Sequence, residues 1–155
     1  MTTKTELKAL TLLRSAELTK DMETKHLKKL AALAQTVTFA EEEIIYHPGD
    51  VGKGLYLIED GQVVIEMEIP GEHSIILKTL EPGQFFGWSS LFPREQKIFF
   101  TRATQQTHAI MINAEQLRNA WQRDHNLEYA IIRRAGEDMA NRIRATRQQL
   151  GAMIA

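Results

Sequence analysis

Two hydrophobic periods divide the chain. Between residues 4 and 15, Leu7, Leu10, Leu12 and Leu13 recur at helical spacing, and between 22 and 34, Met22, Leu27, Leu30 and Leu33 repeat the pattern with basic residues between them. Two amphipathic helices are predicted there, with Ser15 and Thr19 placed to cap local turns. The period then shortens. From Thr36 to His47, the residues Val37, Phe39, Ile44 and Tyr46 alternate with polar ones, which is a strand pattern. His47-Pro48-Gly49-Asp50 marks a turn. Two apolar runs follow, Leu55 to Ile58 and Val63 to Ile69, and the Asp60-Gly61 pair between them predicts a tight hairpin. Pro70-Gly71 turns the chain again, His73 to Leu80 reads as a strand closed by Glu81-Pro82-Gly83, and residues 98–112 carry two more short strands.

Many short strands punctuated by Gly and Pro turns define an all-β barrel or roll. Asn113 and Gln116 form a capping box that opens a short helix over residues 114–122, and a long helix runs from about Asn126 to Met153. The fold class predicted is α+β, with an antiparallel β-roll over 35–112, helices over 1–34 before it and helices over 113–155 after it. No linker, repeat or low-complexity tract interrupts this pattern, so one domain is expected.

Composition sharpens the picture by exclusion. The 155 residues are 43% hydrophobic and 25% charged, in the globular range. The net charge of −1 gives no overall attraction to nucleic acid or anionic membrane. The absence of cysteine excludes disulfides, thiolate catalysis and Cys-ligated zinc. The first ten residues are charged and polar, and no stretch approaches the roughly 20 apolar residues of a membrane span, so a cytoplasmic protein is expected. His26, His47, His73, His108 and His125 fall in no H-x-H or H-E-x-x-H arrangement, and no serine lies in a G-x-S-x-G elbow. No catalytic or metal-ligating residue is assigned, and the chain reads as a non-enzyme.

Gly49 to Gly61, with its Gly-Asp turn and Asp-Gly turn, resembles the signature hairpin of cyclic-nucleotide-binding domains. Pro82-Gly83-Gln84-Phe85-Phe86-Gly87 resembles the entry to that family's phosphate-binding cassette, and Arg102-Ala103 matches the place where its next strand begins. Residues 139–146 resemble the dimer helix of the catabolite activator group. The resemblance covers nearly the whole chain. Gly49 and Gly61 shape turns that need positive φ.

Two positions depart from the family pattern. Where the family carries a Glu that binds the ribose 2′-hydroxyl, this chain has Trp88, whose indole can only donate. Where the family carries a phosphate-binding Arg, the matching position is Lys97, which offers a point charge without the bidentate fork. The candidate ligand-binding residues are therefore Phe86, Gly87, Trp88, Ser89, Ser90, Lys97 and Thr146. Each has two readings. Trp88 is either a wall or a plug in the sugar's space. Ser89 and Ser90 are helix caps or phosphate ligands at the start of a short helix. Lys97 is a solvated strand end or the anion's partner. Thr146 matches the adenine-contacting position of the family or is a small residue in a helix seam.

The function expected is that of a cyclic-nucleotide-binding-like regulatory domain, a small-molecule sensor with an altered cassette. Its ligand would be a cyclic nucleotide or another anionic nucleotide, with ordinary cAMP bound weakly. The alternatives are a ligand-free protein-interaction module on the same fold and a cupin-like metalloenzyme. Leu127, Ile131, Ala135, Met139 and Ile143 recur every four residues, extended by Leu150, and predict a parallel homodimer through the long helix. A partner protein is expected to read the signal. In the catabolite activator group a helix-turn-helix domain follows the dimer helix. Here the residues stop at Ala155, and neither DNA nor membrane is expected as a partner.

Overall fold

The computed structural model describes residues 2–92 and 95–154. Helices α1 (Lys4–Ser15) and α2 (Thr24–Leu33) lead into eight strands: β1 (Ala34–Phe39), β2 (Ile44–Tyr46), β3 (Gly54–Asp60), β4 (Val63–Met67), β5 (Ile75–Leu80), β6 (Phe85–Phe86), β7 (Phe100–Ala103) and β8 (Thr107–Asn113). A 3₁₀ turn over Trp88–Leu91 interrupts them, and α3 (Ala114–Gln122) and α4 (His125–Ile154) follow. The strands form two antiparallel four-stranded sheets, ordered β1-β8-β3-β6 and β2-β7-β4-β5. This is a β-roll flanked by helices, as the two periods of the sequence predict.

The borders fall close to their expected places. Asn113 accepts a hydrogen bond from the Gln116 backbone N–H at 3.0 Å, so its side chain opens α3 as a cap should. The Thr19 hydroxyl donates to the Leu13 carbonyl at 2.6 Å, satisfying an end group of α1. The run from Thr36 to His47 is two strands rather than one, separated by a turn in which Glu42 adopts a φ of 69°.

The hairpin expected at Asp60-Gly61 is not one. Strand β3 pairs with β8 and β6, whereas β4 pairs with β5 and β7, so the turn carries the chain from one sheet to the other. Gly61 has the positive φ expected of it, 98°, and a Cβ there would stand 2.6 Å from the Gln106 carbonyl oxygen. The turn is tight because the two sheets close on each other at this end, not because the strands it joins are bonded. Arg102-Ala103 likewise ends β7 rather than beginning it, and Arg102 is held there by Glu66 at 2.8 Å and Glu42 at 2.8 Å.

Strand β3 explains the continuous apolar run at residues 55–58. Leu55 and Leu57 face a core shared with α1, α2, α3 and α4, whereas Tyr56 and Ile58 face a second core inside the roll. Buried on both faces, the strand has no polar alternation to show. The outer core also takes up the first half of α4. Leu127, Ile131 and Ala135 are 0–1% exposed there, so these three predicted seam residues cover their own domain. Beyond them α4 continues along the roll, where Gln149 Nε2 donates to the Ile76 carbonyl of β5 at 2.8 Å. At 1.5 Å per residue, the 30 residues of α4 span about 45 Å, longer than the core beneath them.

Candidate functional site

The turn at residues 47–50 fixes the centre of the site. Asp50 accepts from the His47 backbone N–H at 2.8 Å, and Gly49 closes the turn with a φ of 92°. Two backbone hydrogen bonds of 2.7 Å then clamp Lys97 to it, Gly49 N–H to the Lys97 carbonyl and Lys97 N–H to the Asp50 carbonyl. Lys97 therefore does not trail off a strand end. It is half-buried, its ammonium donates to Ser89 Oγ at 2.7 Å and Ser90 Oγ at 3.2 Å, and it stands 4.6 Å from the centroid of the Tyr46 ring.

The two serines belong to the 3₁₀ turn. Gly87 opens it with a φ of 94°, and a Cβ there would lie 2.5 Å from the Gly54 carbonyl oxygen, so this close approach to β3 requires glycine. Neither serine caps the turn; both face Lys97. Arg118 of α3 donates to the Ser90 carbonyl at 2.9 Å and ties the turn to the helical layer. Gly52 packs against the same group, because a Cβ on it would overlap Ser90 Oγ and come within 2.8 Å of Lys97 Cε. An aromatic floor runs beneath. Tyr46 meets Tyr56 edge-on at 6.2 Å, and Tyr56 stacks on Phe86 at 4.7 Å with the rings 5° from parallel.

Above these residues lies a cavity of about 310 Å³, walled by the roll on one side and α4 on the other. Phe86, Gly87, Trp88, Ser89 and Lys97 line it, together with Met139, Arg142 and Ile143 of α4. Five of the seven sequence-predicted residues thus share one wall. Ser90 sits behind that wall, 5% exposed, touching the site through Lys97. Thr146 is half-buried on α4, one turn past Arg142, and does not line the cavity. Trp88 is 2% exposed and packs against Phe85 at 5.4 Å in the outer core, so most of its ring is structural.

The charges of the site come from two elements. Burial, with Arg142 nearby, pushes the Lys97 ammonium down to about 8. Burial also lowers the Arg142 guanidinium, which Asp138 opposes from 3.8 Å. That distance is too long for a hydrogen bond. Among the described residues, Arg142 Nε and Nη2 are shut off from solvent with no hydrogen-bond partner. Glu95 lines the cavity too but is exposed, and no described carboxylate forms an ion pair with Lys97. Sequence reasoning missed Tyr46, Gly52 and Arg142. Gly52 and Arg142 each carried a signal, the first as a glycine inside the recognised turn motif and the second by its place inside the recognised helix motif of residues 139–146.

Among the described residues no three His, Asp or Glu side chains gather as a metal site, and no helix is long and apolar enough to cross a membrane.

The architecture is that of a cyclic nucleotide-binding domain. Residues 36–124 match the family model of the cyclic nucleotide-binding domain, and the chain belongs to that family. It is 29% identical over 131 residues to the cAMP-activated global transcriptional regulator Vfr of Pseudomonas aeruginosa, covering 82% of this chain and 59% of that protein. It is 38% identical over 61 residues to the cAMP-dependent protein kinase regulatory subunit of Dictyostelium discoideum, covering 37% of this chain and 19% of that one. The chain thus spans about three-fifths or less of these relatives. A cyclic nucleotide-binding domain from Methylobacillus flagellatus KT shares the fold with a TM-score of 0.80 at 17% identity, covering 96% of this chain and 83% of that one.

Proposed function

We propose that this domain is a non-enzymatic sensor that takes a nucleotide-like anion into the cavity between the roll and α4. The observation that carries the reading is Lys97. It is a cation drawn into a partly apolar wall, held by two hydroxyls and an aromatic face rather than by a carboxylate. Such a charge is costly to bury unless something neutralises it, and the family supplies the class of ligand that does. Apolar walls from Phe86, Trp88 and Met139 suit a flat base.

Ordinary cAMP is a poor fit. Trp88 cannot accept the ribose hydroxyl, and Lys97 lacks the fork that grips a phosphate from two sides. Each lost charged hydrogen bond weakens binding by about 1.5–3 kcal/mol. The ligand's differential affinity for two positions of α4 then sets the output, read by a second copy of the chain or by a partner protein.

Calorimetry with cAMP, cGMP, 5′-AMP and 5′-GMP, on the wild type and on Lys97→Glu, tests this. At least one of the four is expected to bind, and Lys97→Glu to weaken it by about tenfold or more. Sub-micromolar cAMP binding would overturn the weak-cAMP reading, an unchanged affinity in Lys97→Glu would remove Lys97 from the site, and no binding by any of the four would overturn the sensor itself.

A further inference from the structure

A second cavity, of about 410 Å³, is walled by β1, β2, β3 and the two loops that join them. Among the described residues it shares only Tyr46 with the cavity under α4. Its floor is aromatic. Phe39, Tyr46 and Tyr56 belong to the core inside the roll and are 5–8% exposed, with Phe39 and Tyr56 5.8 Å apart and Tyr46 and Tyr56 6.2 Å apart. The Tyr46 hydroxyl is out of contact with solvent and has no hydrogen-bond partner among the described residues. A buried polar group in that state calls for a partner that the chain itself does not supply.

Three charges line the same space, and the backbone fixes each of them. The Glu43 carbonyl accepts from the Ala103 N–H at 2.9 Å, and its Oε1 accepts from the Ala40 N–H at 3.0 Å. Asp50 Oδ2 accepts from the His47 N–H at 2.8 Å, while the Asp50 carbonyl takes the Lys97 N–H at 2.7 Å. Lys53 is held through its carbonyl, which accepts from the Ala114 N–H at 2.9 Å. Each carboxylate thus gives one oxygen to the backbone and keeps the other for a further donor. Among the described residues, neither Glu43 nor Lys53 forms an ion pair.

We infer that this cavity is a second small-molecule site, taking a free aromatic α-amino acid: its ammonium on Glu43 and Asp50, its carboxylate on Lys53 and its ring against Phe39, Tyr46 and Tyr56. A simple anion would meet two carboxylates here, and a simple amine would leave Lys53 unanswered. A zwitterion with an apolar body answers all three charges and the floor together, which is how a site selects one class over its fragments. The amino acid rests against the ring that the Lys97 ammonium stands over.

NMR titration, followed by amide chemical shifts, tests this with L-phenylalanine and three truncated probes. Phenethylamine lacks the carboxylate, hydrocinnamate lacks the ammonium and glycine lacks the ring. L-phenylalanine is expected to bind about tenfold or more tightly than each of them. Glu43→Gln keeps an acceptor for the Ala40 N–H but loses the charge. It should weaken L-phenylalanine and phenethylamine by about fivefold or more and leave hydrocinnamate within about twofold. Lys53→Met should weaken L-phenylalanine and hydrocinnamate to the same extent and leave phenethylamine within about twofold. Both residues are exposed, so both variants should fold. The largest shift changes with L-phenylalanine are expected over residues 39–46 and 50–56. No binding of L-phenylalanine at about 10 mM, equal affinities for all four probes, or indifference to both substitutions would overturn the amino-acid site. So would shift changes that are largest over residues 86–92 or on α4, which would put the amino acid in the other cavity. None of these outcomes depends on whether a nucleotide binds, so the sensor reading stands or falls separately.

Discussion

The Lys97 ammonium stands over the ring of Tyr46, 4.6 Å from its centroid, and the same lysine is held through its backbone by the turn that begins at the next residue, His47. This ties a titratable group to the frame of the roll. Its pKa lies at about 8 against an ordinary 10.5, with burial the larger cause and Arg142 the smaller. Because the folded value is the depressed one, the unfolded chain holds more protons between about 8 and 10.5. Stability contributed by this residue therefore rises as the pH rises through that window. Removing the amine removes the dependence. Denaturant unfolding of wild type and Lys97→Met at pH 7.5 and at pH 10.5 should show the wild type gaining on the variant at the higher pH. A stability difference that does not change with pH would contradict the burial of the charge.

Gly52 is expected to be far less tolerant than its place in an exposed loop suggests. A methyl group there would lie 2.8 Å from Lys97 Cε and 2.9 Å from Ser90 Cβ. Lys97 can shift its long side chain, but Ser90 is buried and pinned through its carbonyl to Arg118. Gly52→Ala should cost about 1–3 kcal/mol as an overpacked site, and should weaken any phosphate-bearing ligand because the serines and Lys97 move together. Chemical denaturation and calorimetry on the variant check both. Full stability with unchanged affinity would show that the wall is looser than its spacing implies.

How much of this was legible in the sequence depends on the range of the interactions that decide it. The turns at Gly49 and Gly61, the Asn113 cap and the change of period near residues 35 and 113 are local, and all appear where the residues place them. The partner of β3 is not local. An Asp-Gly turn between apolar runs is a hairpin signal wherever the two strands stay in one sheet, and only the long-range pairing of β3 with β8 moves them apart. The cavity wall from Phe86 to Ser89 was legible as a contiguous motif that resembles a known cassette. Arg142 lies inside a helix motif that resembles a known one, but its place on the cavity wall depends on how α4 rotates over the roll, and a helix whose apolar positions recur every four residues does not announce which of two adjacent faces turns inward.

Trp88 is expected to behave as a core residue more than as a removable plug. It is 2% exposed, packs against Phe85 and shares the outer core with Leu91 and Leu117. Trp88→Ala should lose about 3–5 kcal/mol. Trp88→Glu, the substitution that restores the family's ribose ligand, would place a carboxylate in an apolar layer and should unfold the protein before it gains cAMP. Trp88→Phe separates the two roles. It removes volume but also removes an indole N–H that has no acceptor among the described residues, a relief of about 1–3 kcal/mol. Thermal melts should therefore rank wild type and Phe close together, with Ala and Glu well below. A folded Trp88→Glu that binds cAMP would show that the indole occupies the sugar's space after all.

The last expectation concerns the face of α4 that the domain leaves uncovered. Leu127, Ile131 and Ala135 turn inward, but a neighbouring stripe does not: Tyr129 is 68% exposed, Ile132 37%, Ile143 59% and Leu150 53%. Between them lie Gly136, with nothing within 4 Å of where a Cβ would be, and the exposed Ala140. Positions 129, 132, 136, 140, 143 and 150 are three, four, four, three and seven residues apart and follow one side of a helix, as a two-helix seam requires. Small residues at its middle let two backbones approach, while the large apolar ones at either end supply area to bury. A second copy of the chain is the occupant this stripe fits, since paired copies cover it with an identical stripe. Of the six residues predicted from sequence, this outward stripe keeps Ile143 and Leu150, while Leu127, Ile131 and Ala135 lie in the core and Met139 lines the cavity. Light scattering at tens of micromolar should report twice the 17.7 kDa of one chain. Ile132→Glu and Ile143→Glu, each placing a charge on the stripe away from the core, should return a folded monomer. A wild type that stays monomeric at that concentration, or a dimer indifferent to both substitutions, would remove α4 as the interface.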